Sequence, residues 1–332
     1  MNAAVIGAGG WGTTLARLLD ERGHRVTLWA RREEFAQELR QTRKNETYLA
    51  GVEIPTSIEI THEAEALERK QLYVFALPTQ STRIVLRSLA GHITHDGAIY
   101  VSASKGIEQG TFSRVTEILQ VMLGADASRT LALSGPSHAE EVAQKIPTAI
   151  VVGGEDPSIA REVQSAFFLP YFRVYSSSDL VGIELAAALK NVIAICAGIT
   201  DSAGFGDNTK AALMTRGLAE MRRLGIALGA EEHTFSGLAG LGDLVVTCGS
   251  QHSRNRYVGD QIGRGRKLPE ILGEMKSVAE GVATTESARS LARLHKIEMP
   301  IVEETYKILF EHKDPREATN DLMTRDPKAE RW

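Results

Sequence analysis

Two stretches of this chain carry residue types that can do chemistry. The first is Gly7-Ala8-Gly9-Gly10-Trp11-Gly12, which follows an apolar run at residues 3–6 and opens a helical pattern at 13–22, with Gly23 placed to stop it. Glycines at this spacing between a strand and a helix suit a dinucleotide. Gly7 permits the tight turn, Gly9 lets backbone approach a pyrophosphate, and Gly12 lets the helix pack on the strand. The helix start then offers N–H groups and partial positive charge to the phosphates. The second is Lys190, the one charge near the middle of an apolar stretch at 180–199. That stretch is too long for a strand and reads as a buried helix. Its neighbours on the same face are Ala186, Ala187, Ile193 and Ala194, with no carboxylate among them. The ammonium either snorkels outward along its stem or is held in a low-dielectric cleft. In a cleft, desolvation lowers its pKa towards the range useful for proton transfer.

Around these stretches the pattern is that of a Rossmann-like α/β domain followed by an all-α one. Apolar runs at 25–30, 72–77, 99–103, 131–133 and 149–152 alternate with helical segments. This predicts a mostly parallel sheet with helices on both faces. Ligands in such sheets bind beyond the carboxyl ends of the strands. The run at 25–30 ends in Trp29-Ala30-Arg31-Arg32, with acids only at Glu33 and Glu34. A carboxylate at the strand end would favour NAD; two guanidiniums suit a ribose 2′-phosphate and favour NADP. Other strand ends carry Ser104-Lys105-Gly106 and Ser134-Gly135-Pro136-Ser137. Lys105 is expected to aim a cation into the crevice, and residues 135–139 to offer backbone donors where a helix begins.

Beyond a strand at 172–175, Ser176-Ser177-Ser178-Asp179 reads as a helix cap. Helical periodicity then dominates, at 208–228, 285–294 and 301–310. The expected domains are therefore 1–178, binding the dinucleotide, and 179–332, helical and catalytic. Within the second, residues 237–242 place three glycines before Asp243, a tight loop with the acid as an N-cap. Ser253-Arg254-Asn255-Arg256 suits a small phosphate, or is a solvated helix end.

Composition narrows the class. The chain has 332 residues, 43% hydrophobic and 24% charged, with 38 basic and 42 acidic residues for a net charge of −4. This gives no global attraction to nucleic acid or an anionic membrane. Two cysteines, Cys196 and Cys248, are too few for a disulfide framework and fit a reducing, cytoplasmic compartment. No signal peptide or bilayer-spanning stretch is expected. No histidine spacing suggests a metal; His92 and His95 fall in a polar, turn-like stretch and His138 needs no catalytic role. The charged tail at 324–332 is expected to fray.

The motifs, taken in order, resemble the bacterial-type NAD(P)-dependent glycerol-3-phosphate dehydrogenases over essentially the whole chain. They are GAGGWGT at 7–13, SKG at 104–106, SGPSHAEEV at 134–142, LKNVIAICAG at 189–198, GDNTKAALMTRGLAEM at 206–221, GLAGLGDLVVTC at 237–248 and SRNR at 253–256. Departures are mild: Gly10 stands where serine is frequent, and Cys196 where alanine is common. The resemblance implies reversible hydride transfer between NAD(P)H and dihydroxyacetone phosphate, giving sn-glycerol 3-phosphate for glycerophospholipid synthesis, by a homodimer. It implies Lys190 as the catalytic proton donor and acceptor. Lys105, Gly135, Ser137, Asp243, Ser253, Arg254 and Asn255 match positions that hold the triose phosphate. Gly10, Trp11, Arg31, Arg32, Tyr48, Ala139, Val278 and Glu280 match the cofactor site, beside Gly7, Gly9 and Gly12, with Lys105 and Arg254 close to both ligands. A hydroxyacid or 6-phosphogluconate-type dehydrogenase shares this plan and is the rival enzyme. A dinucleotide-sensing regulator is the rival from another class, and a lysine without an acidic partner argues against it.

Overall fold

The computed structural model describes every residue except 95, 96, 328, 331 and 332. His95 and the end of the charged tail therefore lie outside the described residues. The chain divides into two compact units. One comprises residues 1–105 and 113–184, the other 106–112 and 185–332. By contacts the division falls within a helix, between 184 and 185, and a seven-residue excursion (106–112) belongs with the second unit.

The first unit is built on strands β1 (Asn2–Ile6), β2 (Arg25–Trp29), β3 (Lys44–Asn45), β4 (Leu49–Glu53), β5 (Glu59–Thr61), β6 (Leu72–Phe75), β7 (Ile99–Ser102), β8 (Thr130–Ser134), β9 (Thr148–Gly153) and β10 (Phe172–Ser177). Its helices are α1 (Gly10–Glu21), α2 (Glu33–Thr42), α3 (Thr79–Ile93), α4 (Val115–Leu123), α5 (Ala139–Ala143) and α6 (Pro157–Phe167). Eight strands form one sheet in the order β10-β9-β8-β7-β6-β1-β2-β5. All its pairings are parallel except β8 with β9. The alternation of side chains sends Ala3 and Val5 of β1 to one face, with α1, α2 and α6, and Ala4 and Ile6 to the other, with α3 and α4. Both faces are covered, which is why these strands read as unbroken apolar runs. The short β5 and the antiparallel pair β3–β4 were not anticipated; they are two to five residues long and mix polar with apolar, exposed with buried residues.

Helix α1 starts at Gly10, three residues before the pattern suggested, so the second half of the glycine motif, residues 10–12, lies inside its first turn. It stops as expected at Gly23, which adopts φ +91° while His24 N–H bonds Leu19 O at 3.0 Å. Helix α7 (Leu180–Ser202) begins where Asp179 Oδ1 accepts from Gly182 N–H at 2.8 Å, the cap that the serine-aspartate cluster promised. His92 lies in the last turn of α3, bonded to Glu68, and not in a turn-like stretch.

The second unit's described residues form helices joined by loops, with no strand among them. After α7 come α8 (Asp207–Ala227), α9 (Asp243–Gly249), α10 (Arg254–Gly263), α11 (Leu268–Glu274), α12 (Glu280–Leu294), α13 (Pro300–Phe310) and α14 (Pro315–Met323). By composition α7 is long and apolar enough to cross a membrane, with mean hydropathy 1.9, contrary to the expectation that no stretch is. Of that stretch 89% is buried inside the protein, so its apolar surface is already covered, as in a core helix. Helices α7 and α10 meet backbone to backbone. A Cβ on Gly198 would fall 2.0 Å from Arg256 O, and one on Gly259 would fall 1.9 Å from Ile195 O. This crossing brings the start of α10 to the level of Lys190.

Candidate active site

In the first unit the glycine loop has little room for added atoms. Gly7 adopts φ +111°, and a Cβ on Gly12 would lie 1.8 Å from Gly7 O. Gly9 faces open space, with nothing within 4 Å of an added Cβ. The loop is thus closed against the strand and open where a phosphate would approach, and the residues present fit a dinucleotide. Gly10 and Trp11 form the start of α1, and an added Cβ on Gly10 would meet Tyr48 O at 2.5 Å. Arg31 and Arg32 are both exposed past β2. Arg32 lies over the Phe35 ring at 5.3 Å and donates to Tyr48 Oη at 3.4 Å. Tyr48 in turn packs edge-on against Phe35. Guanidinium and phenol are therefore held together on the Phe35 ring.

Lys105, Gly135 and Ser137 also converge. Lys105 Nζ donates to Gly135 O at 2.9 Å, and Ser137 Oγ donates to the same carbonyl at 2.9 Å. Lys105 is therefore anchored to the loop after β8. Helix α5, which starts at Ala139, has only five residues and adds little dipole.

In the second unit Lys190 is 5% exposed, flanked by Ala186, Ala187, Ile193 and Ala194, all buried. It does not snorkel. Nor does it lack a carboxylate: Nζ donates to Asp243 Oδ1 at 2.9 Å and to Thr247 Oγ1 at 2.6 Å, both from α9. The apolar face of α7 was read correctly, but the partner comes from another helix. Burial and the carboxylate act on the ammonium in opposite senses, the first against its charge and the second for it. With an acidic partner present, the argument against a sensor from an unpaired lysine no longer stands.

Asp243 is no N-cap. Residues Leu238–Gly242 form a single π-helical turn that runs straight into α9, so Asp243 is already helical and its side chain is turned to Lys190. Thr247, one turn later, donates to Asp243 O at 2.6 Å. The i, i+4 spacing of Asp243 and Thr247 was the signal available for Thr247, which the sequence reading passed over. Asn191 was missed too. Its Oδ1 accepts from Asn255 Nδ2 at 2.8 Å, while Asn255 Oδ1 accepts from Gly281 N–H at 2.9 Å.

Asn255 thus ties α7 to the start of α12, where Glu280 stands, and these two bonds use only one of its two Nδ2 hydrogens. Ser253 caps α10, its Oγ accepting from Arg256 N–H at 3.2 Å. Arg256 pairs with Asp201 at 2.7 Å, which removes it from the phosphate set. Arg254 is exposed at the first residue of α10, and Val278 is exposed ahead of α12. Burial pushes the thiols of Cys196 and Cys248 up to about 12, so neither is a nucleophile at neutral pH.

A glycine-loop Rossmann unit and a helical unit that buries a lysine against an aspartate are the parts that a nicotinamide-dinucleotide dehydrogenase needs. The comparisons are more specific. The family model for the NAD-dependent glycerol-3-phosphate dehydrogenase N-terminus matches residues 2–160, and that for its C-terminus matches 179–320. A Geobacter sp. (strain M21) protein named glycerol-3-phosphate dehydrogenase [NAD(P)+] is 53% identical over 329 residues, covering 98% of each chain. One of the same name from Prosthecochloris aestuarii is 50% identical, covering 99% of this chain and 100% of its own. The crystal structure of the glycerol-3-phosphate dehydrogenase from Coxiella burnetii superposes with a TM-score of 0.93 at 34% identity, over 98% of this chain and 99% of that one. The chain belongs to the NAD-dependent glycerol-3-phosphate dehydrogenase family.

Proposed function

We propose that this protein reduces dihydroxyacetone phosphate reversibly to sn-glycerol 3-phosphate with NADPH or NADH, supplying glycerophospholipid synthesis, as a cytoplasmic homodimer. The observation that carries the reading is the Lys190 ammonium, buried on an oily helix and fixed by Asp243 and Thr247. The bound dinucleotide supplies the hydride. As the C2 carbonyl oxygen of the ketone gains negative charge, Lys190 stabilises that charge and delivers a proton to it. Asp243 keeps the lysine charged before the transfer, and the Thr247 hydroxyl limits the directions in which Nζ can swing. In the reverse direction the neutral amine takes the proton from the C2 hydroxyl.

Arg254 and the N–H groups opening α10 grip the phosphate, which fixes the carbonyl in place for transfer. Lys105, with Gly135 and Ser137, supplies the second set of substrate contacts. Arg31 and Arg32 bind a ribose 2′-phosphate, with the Tyr48 hydroxyl steadying the Arg32 fork, so NADPH is the favoured reductant. Trp11, Ala139, Val278 and Glu280 complete the cofactor contacts.

The test is loss of dihydronicotinamide absorbance on adding dihydroxyacetone phosphate, with NADPH and NADH side by side and a hydroxyacid-precursor panel as control. Oxidation of both, faster with NADPH, is expected. Turnover with a 2-keto acid and none with the triose phosphate would sink the substrate assignment. A faster rate with NADH would sink the role given to the two arginines.

A further inference from the structure

Asn45 belongs to none of the motifs, yet no part of it is exposed. It lies in β3, and its carboxamide holds three separate pieces of chain. Nδ2 donates to Ala8 O at 3.0 Å and to Thr13 Oγ1 at 2.8 Å, while Oδ1 accepts from Tyr48 N–H at 3.2 Å. Both amide hydrogens and one carbonyl lone pair are thereby used, which fixes which atom is nitrogen and which oxygen.

We propose that Asn45 is a positioning residue that aims the dinucleotide loop. The reasoning starts from the peptide unit joining Ala8 and Gly9, which is trans, as are all the described peptides. In a planar trans peptide the carbonyl and the following N–H point in opposite directions. Drawing Ala8 O towards the β3–β4 hairpin therefore turns the Gly9 N–H away from it. Gly9 is also the loop residue whose surroundings are open to an approaching phosphate. The second bond, to Thr13, ties the first turn of α1 to the same amide, so the loop and helix donors keep one spacing. The third, to the Tyr48 N–H, fixes the backbone of the residue whose phenol accepts from Arg32. One buried side chain thus sets the pyrophosphate donors and the Arg32 fork in a common frame. The inference rests on reading residues 7–12 as the dinucleotide loop.

Asn45→Asp separates the roles, because it keeps the acceptor for Tyr48 and loses both donors. On the full chain, Kd would be measured for NADPH and for adenosine 2′-monophosphate, a fragment with no pyrophosphate. Alongside these come kcat and the KM for dihydroxyacetone phosphate at saturating NADPH. NADPH binding is expected to weaken about tenfold, with the fragment's Kd, kcat and the substrate KM changing by less than about twofold. If Asn45→Asp fails to fold, Thr13→Val, which removes one of the two donor contacts, should show the same pattern at about threefold. Equal weakening of NADPH and the fragment, or unchanged NADPH affinity in a folded variant, overturns the proposal. A parent protein that binds neither ligand would break the dinucleotide reading itself.

Discussion

The glycine loop of the first unit and the lysine cluster of the second are made of different materials. The loop is backbone: its working groups are N–H donors, and its shape comes from the missing side chains of Gly7 and Gly12 and from one buried amide. The cluster is side chain: an ammonium, a carboxylate and a hydroxyl drawn from positions 53 and 57 residues apart in sequence. A backbone site is sensitive to added volume and contains no titrating group of its own. A side-chain site in a dry interior is the reverse. It can absorb small changes of shape, but removing one charge strands the other.

The largest expected effect breaks the cluster. Lys190→Ala should lower kcat about a hundredfold or more while leaving NADPH affinity nearly intact. It should also destabilise the protein by about 3 kcal/mol, because Asp243, 2% exposed, is left without its cation. The double variant Lys190→Met/Asp243→Leu removes both charges and should recover most of that stability with none of the turnover. Denaturant melts and steady-state assays on the same samples decide the matter. Near-normal turnover in Lys190→Ala would remove the lysine from the chemistry, and an unrecovered melt in the double variant would show that shape, not charge, governs the cluster.

The next effect breaks the loop. Gly12→Ala puts a Cβ where Gly7 O stands, and backbone cannot rotate away as a side chain can. We expect a loss of about 2 kcal/mol in stability and at least about a tenfold rise in NADPH Kd, with kcat at saturation changed far less than in Lys190→Ala. A fall in kcat as deep as that of the lysine variant would erase the distinction between the two regions.

The smallest effect sharpens it. Elsewhere in the helical unit, Glu220 is buried and its carboxylate accepts from the Ile301 and Val302 N–H groups at the start of α13. Burial pushes this acid from 4.5 up to about 7. The folded chain therefore binds the proton more tightly than the unfolded one, and this group makes stability fall as pH rises from about 4.5 to about 7. The slope it adds is at most about 1.4 kcal/mol per pH unit, and Glu220→Gln should flatten it. A stability profile of the parent and variant that coincide over this window would show that the acid is not perturbed.

Much of the first unit was legible because its signals are local. Turn glycines, strand runs and the Asp179 cap act over a few residues, so spacing alone revealed them. The pair β3–β4 was not legible: its strands are short and carry no periodic burial, yet it brings in Asn45 and Tyr48. In the second unit the oily face of Lys190 was visible, but its partner was not. Nothing in residues 237–247 says that a π turn feeds Asp243 into a helix and swings its carboxylate towards α7. The same distance in sequence concealed the Asn191–Asn255 tie and the pairing of Arg256 with Asp201.

The amino-acid order by itself determined the family and the α/β-then-helical plan, since these follow from residue type and short-range spacing. Tertiary structure alone decided which charges neutralise one another and which remain exposed to ligand. Electrostatic pairing depends on distance and dielectric, and both are set only when helices far apart along the chain pack together.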